Sequence, residues 1–184
     1  CASGVAQAFD CMGGRAQADA AELGAHVRRA SPHKGPWPRV SVWQGSADHT
    51  VVPSNADAIV LQWTHLHGLP PAPTATDSVE GYPRRLWQDA KGAVLVEQYS
   101  ITGMAHGTPL MPGTDAGESG AAGAHMLDAA ISSTDRIAAF FGIAPLPAAQ
   151  TKPKTRKRAA PKPLAPTGVQ AVIENALKSA GLMR

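Results

Sequence analysis

Hydrophobic residues recur along the chain at two spacings, one typical of strands and one typical of helices. The run RVSVWQG at 39–45 is rich in β-branched residues and ends at a glycine, which predicts a short buried strand. In SNADAIVLQWTHLHG, at 54–68, apolar residues follow helical spacing; Ser54 or Asn55 can cap the start and Gly68 can end it. The runs YPRRLWQD and VLVEQYSITG, separated by the turn AKGA, predict a β-hairpin.

The same patterns place three further helices and three irregular segments. Helices are predicted at 16–30, 131–143 and 168–184, the last with an amphipathic face. Loops are predicted at 1–15, with a single helical turn, at 69–81, and at 107–123, where Gly and Pro interrupt any periodicity.

Charge and proline divide the chain into parts. The net charge is +3, yet residues 1–150 carry 9 basic and 13 acidic side chains, whereas TKPKTRKRAAPK at 151–162 carries six basic residues and no acid. We therefore expect a folded domain at 1–145, a disordered linker at 146–167 and a helix at 168–184. The basic run is either a solvated linker or a segment that binds an anionic surface or a nucleic acid.

The 184 residues fit a single domain, and no apolar run approaches the length of a membrane-spanning helix. The chain opens on Cys1 without a charged and then apolar start, so no signal peptide is evident. This opening is expected of a mature or truncated chain.

A histidine stands between the second hairpin strand and a loop that cannot extend it. His106 lies in ITGMAHGTPL, just before Gly107 and Pro109. In open α/β sheets, chemistry is concentrated at the carboxyl ends of strands. A lone histidine there is equally compatible with a plain surface residue, so the assignment depends on a partner.

The candidate partner is Asp48, which follows the predicted strand 39–45 in the sequence GSADHTVVP. If the two strands are parallel neighbours, Asp48 and His106 meet at one edge of the sheet. An aspartate that holds the imidazole of a histidine is two thirds of a hydrolase triad. The alternative is that Asp48 only caps the following turn or helix.

These residues also carry a family resemblance. PRVSVWQGSADHTVVPSNADAIVLQWTHLHGL resembles the acid loop of the polyhydroxybutyrate depolymerase-type esterases, a branch of the α/β-hydrolases, and YSITGMAHGTPL resembles their histidine loop. CMGGRAQADAAELGAHVRRASPHKGPWP is similar to the stretch between nucleophile and acid, and VIENALKSAGLM to the carboxyl end. The resemblance implies the carboxyl-terminal portion of an α/β-hydrolase sheet with flanking helices, Asp48 as triad acid and His106 as triad base.

The nucleophile of that family lies in a G-x-S-x-G elbow before the acid, and this chain has no such motif. The nearest string, GESGA at 117–121, follows His106 and ends in alanine, so Ser119 is interpreted as a loop serine. We therefore expect a chain that supplies only Asp48 and His106 and lacks the nucleophile and the oxyanion hole.

Cys1 and Cys11 match no zinc or redox spacing, and the residues alone leave a disulfide and two free thiols open. The resemblance implies an extracellular or periplasmic location and, with it, a Cys1–Cys11 pair. No cofactor is expected. A metal site is not expected either, because His65 and His67 point to different faces of their helix. The other candidate histidines, His26, His33, His49 and His125, lack suitably spaced carboxylate or cysteine companions.

Three functions stay open at this point. The first is a serine esterase that acts on hydroxyalkanoate esters or polyesters. The second is a catalytically inactive interaction domain that uses the basic tail. The third is a feruloyl or acetyl-xylan esterase with the same triad logic.

Overall fold

A computed structural model describes residues 4–15 and 19–147, and these form four helices and six strands. In chain order the elements are α1 (Val5–Met12), α2 (Ala20–Ala30), β1 (Val40–Gly45), α3 (Ser54–His67), β2 (Ala75–Val79), β3 (Tyr82–Gln88), β4 (Val94–Ile101), β5 (Thr108–Leu110), β6 (Met126–Asp128) and α4 (Ser133–Phe140). The predicted linker from residue 148 onward and the helix at 168–184 lie outside the described residues.

A four-stranded mixed sheet in the order β1-β4-β3-β2 forms the centre of the described chain. β1 and β4 are parallel, with Val40 opposite Val96 and Gly45 opposite Ile101. β4 then pairs antiparallel with β3, and β3 with β2. The predicted α/β class and hairpin are confirmed, and the parallel pairing brings the carboxyl ends of β1 and β4 side by side.

Helix α3 covers one face of this sheet. Ala56 and Val60 of α3 pack against Val42, Trp87 and Val96 of the strands, and all five are buried. α3 ends at Gly68, whose φ of 69° lies in the left-handed region that favours glycine. The opposite face buries a second cluster: Tyr82, Tyr99, Ile101, Met104 and Ile131.

The second face also holds a buried polar network. The Glu97 carboxylate accepts a hydrogen bond from Ser41 Oγ at 2.8 Å and lies 3.5 Å from Arg84 Nη1. Arg84 Nη1 also contacts the Tyr99 hydroxyl at 3.1 Å, and its other nitrogens bind the Asp77 carboxylate at 2.6 and 2.9 Å. Trp43 stacks on Tyr99 with ring centroids 3.7 Å apart. Four strands are thus cross-linked by side chains on one face.

Several predicted loops and caps are wrong. The segment 69–81 contains β2, a polar strand on the sheet edge whose pairing with β3 decides its conformation. Residues 107–123 include β5, which pairs with β6, and residues 1–15 include the eight-residue helix α1 rather than a single turn. α3 has no side-chain cap: Pro53 is its N-cap, and the Asn55 side chain instead donates to Met12 O and Val52 O.

The structure gives Cys11, on α1, as a half-buried free thiol, which does not match the predicted disulfide. Cys1, its predicted partner, lies outside the described residues. Within the described part of the chain, no helix has the length and apolar character needed to cross a membrane.

Candidate active site

The loops after β1 and β4 are joined by backbone hydrogen bonds. Ser46 N–H donates to Ile101 O, and Ala47 N–H donates to Met104 O, both at 3.0 Å. Gly103 N–H donates to Ser46 Oγ at 2.9 Å. These bonds hold the loop with Asp48 against the loop with His106, as the parallel pairing of their strands predicts.

Gly45 makes this close approach possible. A Cβ on Gly45 would lie 2.7 Å from the carbonyl oxygen of Ala105 and closer still to that of Met104. Both are backbone atoms that cannot rotate away. The end of β1 therefore needs a residue without a side chain where the His106 loop crosses it.

Asp48 and His106 are in direct contact. Nδ1 of His106 lies 2.9 Å from Oδ2 of Asp48. A carboxylate only accepts hydrogen bonds, so Nδ1 carries the proton and Nε2 of the neutral ring is the lone-pair atom. The predicted approach of the two side chains is confirmed.

The carboxylate of Asp48 is buried and fully engaged. Its side chain is 6% exposed, whereas that of His106 is 41% exposed. Oδ1 accepts the backbone N–H groups of Thr50 and Val51, each at 2.9 Å, and Oδ2 also faces Gln44 Nε2 at 3.3 Å. Asp48 thus also caps its own turn, as the alternative interpretation predicted. It does so through Oδ1, the oxygen that does not contact His106.

Sequence reasoning did not identify Gln44 or His125 as neighbours of this pair. Gln44, the penultimate residue of β1, donates to Asp48 and to Val51 O. His125 lies edge-on to His106 with ring centroids 5.7 Å apart, and its backbone carbonyl accepts from Thr108 N–H at 2.7 Å. The position of Gln44 at a strand end is a signal available in the sequence, but the approach of His125 depends on the β5–β6 pairing.

Ser119 is engaged elsewhere. Its Oγ lies 3.2 Å from Ser132 Oγ, and Ser132 in turn caps α4 by accepting from Asp135 N–H. Ser119 N–H donates to Met111 O at 2.8 Å. In the described part of the chain, the Ser119 hydroxyl is hydrogen-bonded to the residue that caps α4 and not to His106. No group of three or more potential metal ligands occurs in the described part of the chain.

Comparison with known proteins finds esterases of similar sequence. The chain is 43% identical over 144 residues to the poly(3-hydroxyalkanoate) depolymerase C of Paucimonas lemoignei. The matched stretch is 78% of this chain and 35% of that protein. The chain is a relative of the polyhydroxybutyrate depolymerase-type esterases. It spans about a third of the length of this curated relative, and no family model matches it.

Two further groups of esterases are also similar to this chain, over a shorter stretch. An acetylxylan esterase of Coprinopsis cinerea is 37% identical over 101 residues, 54% of this chain and 26% of that protein. A feruloyl esterase B of Talaromyces stipitatus is 28% identical over 101 residues, 54% of this chain and 27% of that protein. The solved acetyl xylan esterase from Aspergillus awamori superposes with a TM-score of 0.54 at 20% identity, over 73% of this chain and 41% of that one, which shows a shared fold.

Proposed function

We propose that this chain is the carboxyl-terminal part of an α/β-hydrolase-type serine esterase that acts on hydroxyalkanoate esters. The observation that carries the proposal is the 2.9 Å contact between His106 Nδ1 and Asp48 Oδ2, at the carboxyl ends of two adjacent parallel strands. The 43% identity to a poly(3-hydroxyalkanoate) depolymerase favours polyester-type substrates. An extracellular or periplasmic location is part of the proposal and rests on the same resemblance.

In this proposal each side chain has one role in acyl transfer. His106 Nε2 takes the proton of a serine hydroxyl as that oxygen attacks the ester carbonyl, and then gives it to the departing alkoxide. Water deprotonated by the same nitrogen hydrolyses the acyl-enzyme. Asp48 holds the Nδ1 proton, which fixes the productive tautomer, and stabilises the imidazolium that forms between the two transfers.

The attacking serine is proposed to lie outside the 184 residues. The sequence has no G-x-S-x-G string, and the Ser119 hydroxyl is hydrogen-bonded toward α4. The depolymerase relative extends well beyond the matched 144 residues, which leaves room for a nucleophile segment. The oxyanion hole is proposed to come from the same outside segment.

Acetylated xylan and feruloyl esters are the second candidate substrates, favoured by the 37% and 28% identities to esterases of those names. A third function, a catalytically inactive interaction domain, would leave the Asp48–His106 contact without a chemical role. It depends on the basic run at 151–162, which lies outside the described residues.

The test is a substrate panel on a protein that carries these residues after a serine segment. Hydroxybutyrate oligomers, acetylated xylan and methyl ferulate are assayed side by side, with His106→Ala and with His26→Ala on α2 as the control histidine. We expect preferred turnover of the oligomers, its loss in His106→Ala and its retention in His26→Ala. Preferred turnover of a carbohydrate ester would overturn the proposed hydroxyalkanoate substrates in favour of the second candidates. Full activity of His106→Ala would overturn the mechanism.

A further inference from the structure

A cationic cleft lies at the end of β1 that is remote from Asp48. Its volume is about 240 Å³, and it is lined by Arg28, His33, Lys34 and Trp37, from the last turn of α2 and the loop before β1. β1 begins at Val40 and ends at Gly45, just before Asp48. Because a strand rises roughly 3.3 Å per residue, the six residues of β1 separate the cleft from the Asp48–His106 pair.

The cleft carries positive charge that no neighbouring carboxylate neutralises. None of its four lining residues is acidic. The ion pairs formed within the described part of the chain involve neither Arg28 nor Lys34. Two cations that face one cleft without a counter-charge provide several N–H donors for an anionic ligand.

The remaining walls are aromatic and are held in place by α3. Trp37 lies edge-on to Trp63 of α3, with ring centroids 6.5 Å apart, and to His33 at 5.1 Å. His33 Nε2 donates to Pro36 O at 2.9 Å, and His67 Nε2 of α3 donates to Pro38 O at 3.0 Å. The loop is thus anchored at several points, and an indole surface lies beside the two cations.

We propose that this cleft binds a carboxylate that is attached to a small apolar or planar group. The carboxylate would be bound by Arg28 and Lys34, and the apolar part would lie against Trp37. The cleft is smaller than the roughly 300–1,000 Å³ of pockets for drug-sized ligands, so it fits a short monocarboxylate or one end of a longer chain. The proposal does not depend on the esterase function, although ester hydrolysis releases carboxylates of this kind.

The experiment titrates the 184-residue chain at low ionic strength with three probes, followed by protein NMR. Benzoate has both a carboxylate and a planar apolar ring. Benzamide is its uncharged analogue, and inorganic phosphate is an anion without an apolar part. The variants are Lys34→Gln, Arg28→Gln and the double variant, with Lys91→Gln in the exposed β3–β4 turn as the matched control. All three substituted side chains are exposed, so the fold should be retained, which circular dichroism checks.

We expect benzoate to bind the unmodified chain and Lys91→Gln equally well. Its affinity should fall about fivefold in each single cleft variant, as expected for exposed charge pairs, and be lost in the double variant. Benzamide and phosphate should both bind more weakly than benzoate. The proposal is overturned if benzoate does not bind, if the double variant binds it normally, or if either other probe binds as tightly.

Discussion

At the scale of single residues, the two carboxylate oxygens of Asp48 have separate tasks. Oδ1 accepts hydrogen bonds from the N–H groups of Thr50 and Val51 in its own loop, and Oδ2 accepts the hydrogen bond from His106 Nδ1. The loop therefore sets the direction in which Oδ2 points. A chemical change confined to Oδ2 should alter the tautomer of His106 while the hydrogen bonds of the loop stay intact.

Asp48→Asn tests this separation. The amide oxygen can still accept the two backbone N–H groups, but the amide NH₂ then faces His106 Nδ1 and forces the proton onto Nε2. In a protein that carries the nucleophile segment, we expect turnover to fall by about 10⁴, because Nε2 can no longer accept a proton. The measurement is kcat together with the imidazole NMR signals, which report the tautomer.

Asp89→Asn is the matched control for this variant. Asp89 Oδ1 also accepts two backbone N–H groups, from Lys91 and Ala93, in the exposed β3–β4 turn. We expect turnover to be unchanged in Asp89→Asn. Equal loss of activity in both variants would contradict the assignment of the effect to the histidine contact.

Gly45→Ala tests the close approach of the two loops. The added Cβ meets the carbonyl oxygens of Met104 and Ala105, so the His106 loop must shift. We expect a loss of about 1–3 kcal/mol in the free energy of unfolding, the usual range for overpacking, measured by urea denaturation. Gly123→Ala, where the nearest atom to a Cβ is Met126 Cβ at 4.0 Å, should cost much less, and a similar cost at both sites would contradict the steric argument.

At the scale of elements, β4 determines the architecture. It is parallel to β1 on one side and antiparallel to β3 on the other, and its central residues are buried on both faces. One of these buried residues is acidic. Burial raises the pKa of the Glu97 carboxyl above its ordinary value of 4.5, although hydrogen bonds from Ser41 and Arg84 act in the opposite direction.

This raised pKa predicts a pH dependence of stability. Between 4.5 and the higher pKa of the folded state, the folded protein retains a proton that the unfolded chain has released. The free energy of unfolding should therefore fall as the pH rises through this interval. In Glu97→Gln the side chain stays uncharged, and we expect urea denaturation to show a flatter profile there, whereas Glu22→Gln on the exposed surface of α2 should keep the fall.

Asp77 provides a contrast within the same network. The hydrogen bond from Arg84 lowers the pKa of the Asp77 carboxyl, so its stabilising effect is present above its ordinary pKa of 3.8 and is lost as the pH falls through the lowered value. Asp77→Asn should change only this more acidic part of the profile. A flattened profile above pH 4.5 in Asp77→Asn would contradict the assignment of that interval to Glu97.

At the scale of the complete chain, the 184 residues contain the proposed acid–base pair but no G-x-S-x-G motif. We expect the chain on its own to hydrolyse a short p-nitrophenyl ester no faster than background. A missing oxyanion donor alone typically costs about 10² to 10³ in rate, and the proposed mechanism places both the oxyanion hole and the serine outside these residues. The measurement is a p-nitrophenyl ester assay of the purified chain.

Ser119→Ala decides the outcome if the isolated chain does show activity. Loss of that activity in Ser119→Ala would make the loop serine the nucleophile and contradict the proposal of an outside segment. Ser132→Ala, which removes the hydroxyl that Ser119 contacts, is the matched control for a merely structural effect on α4.

Local sequence patterns were sufficient to predict several elements of this protein. Apolar spacing identified β1, α3 and the β3–β4 hairpin, because burying one face of a helix or strand requires periodic hydrophobic residues. The strand-end positions of Asp48 and His106 predicted that their side chains meet, since parallel strands bring their carboxyl ends to one edge. The family resemblance followed from the same residues.

Other features depend on partners that lie far apart in the chain, and these became evident only in the folded protein. β2 is polar and forms a strand because β3 pairs with it, and β5 contains Pro109 yet pairs with β6. His125 reaches His106 through that second pairing, and Arg28, Lys34 and Trp37 form one cleft because α3 holds their loop. Hydrogen bonds and contacts between residues far apart in the chain leave no periodic signal in it, which is why the sequence could not predict these features.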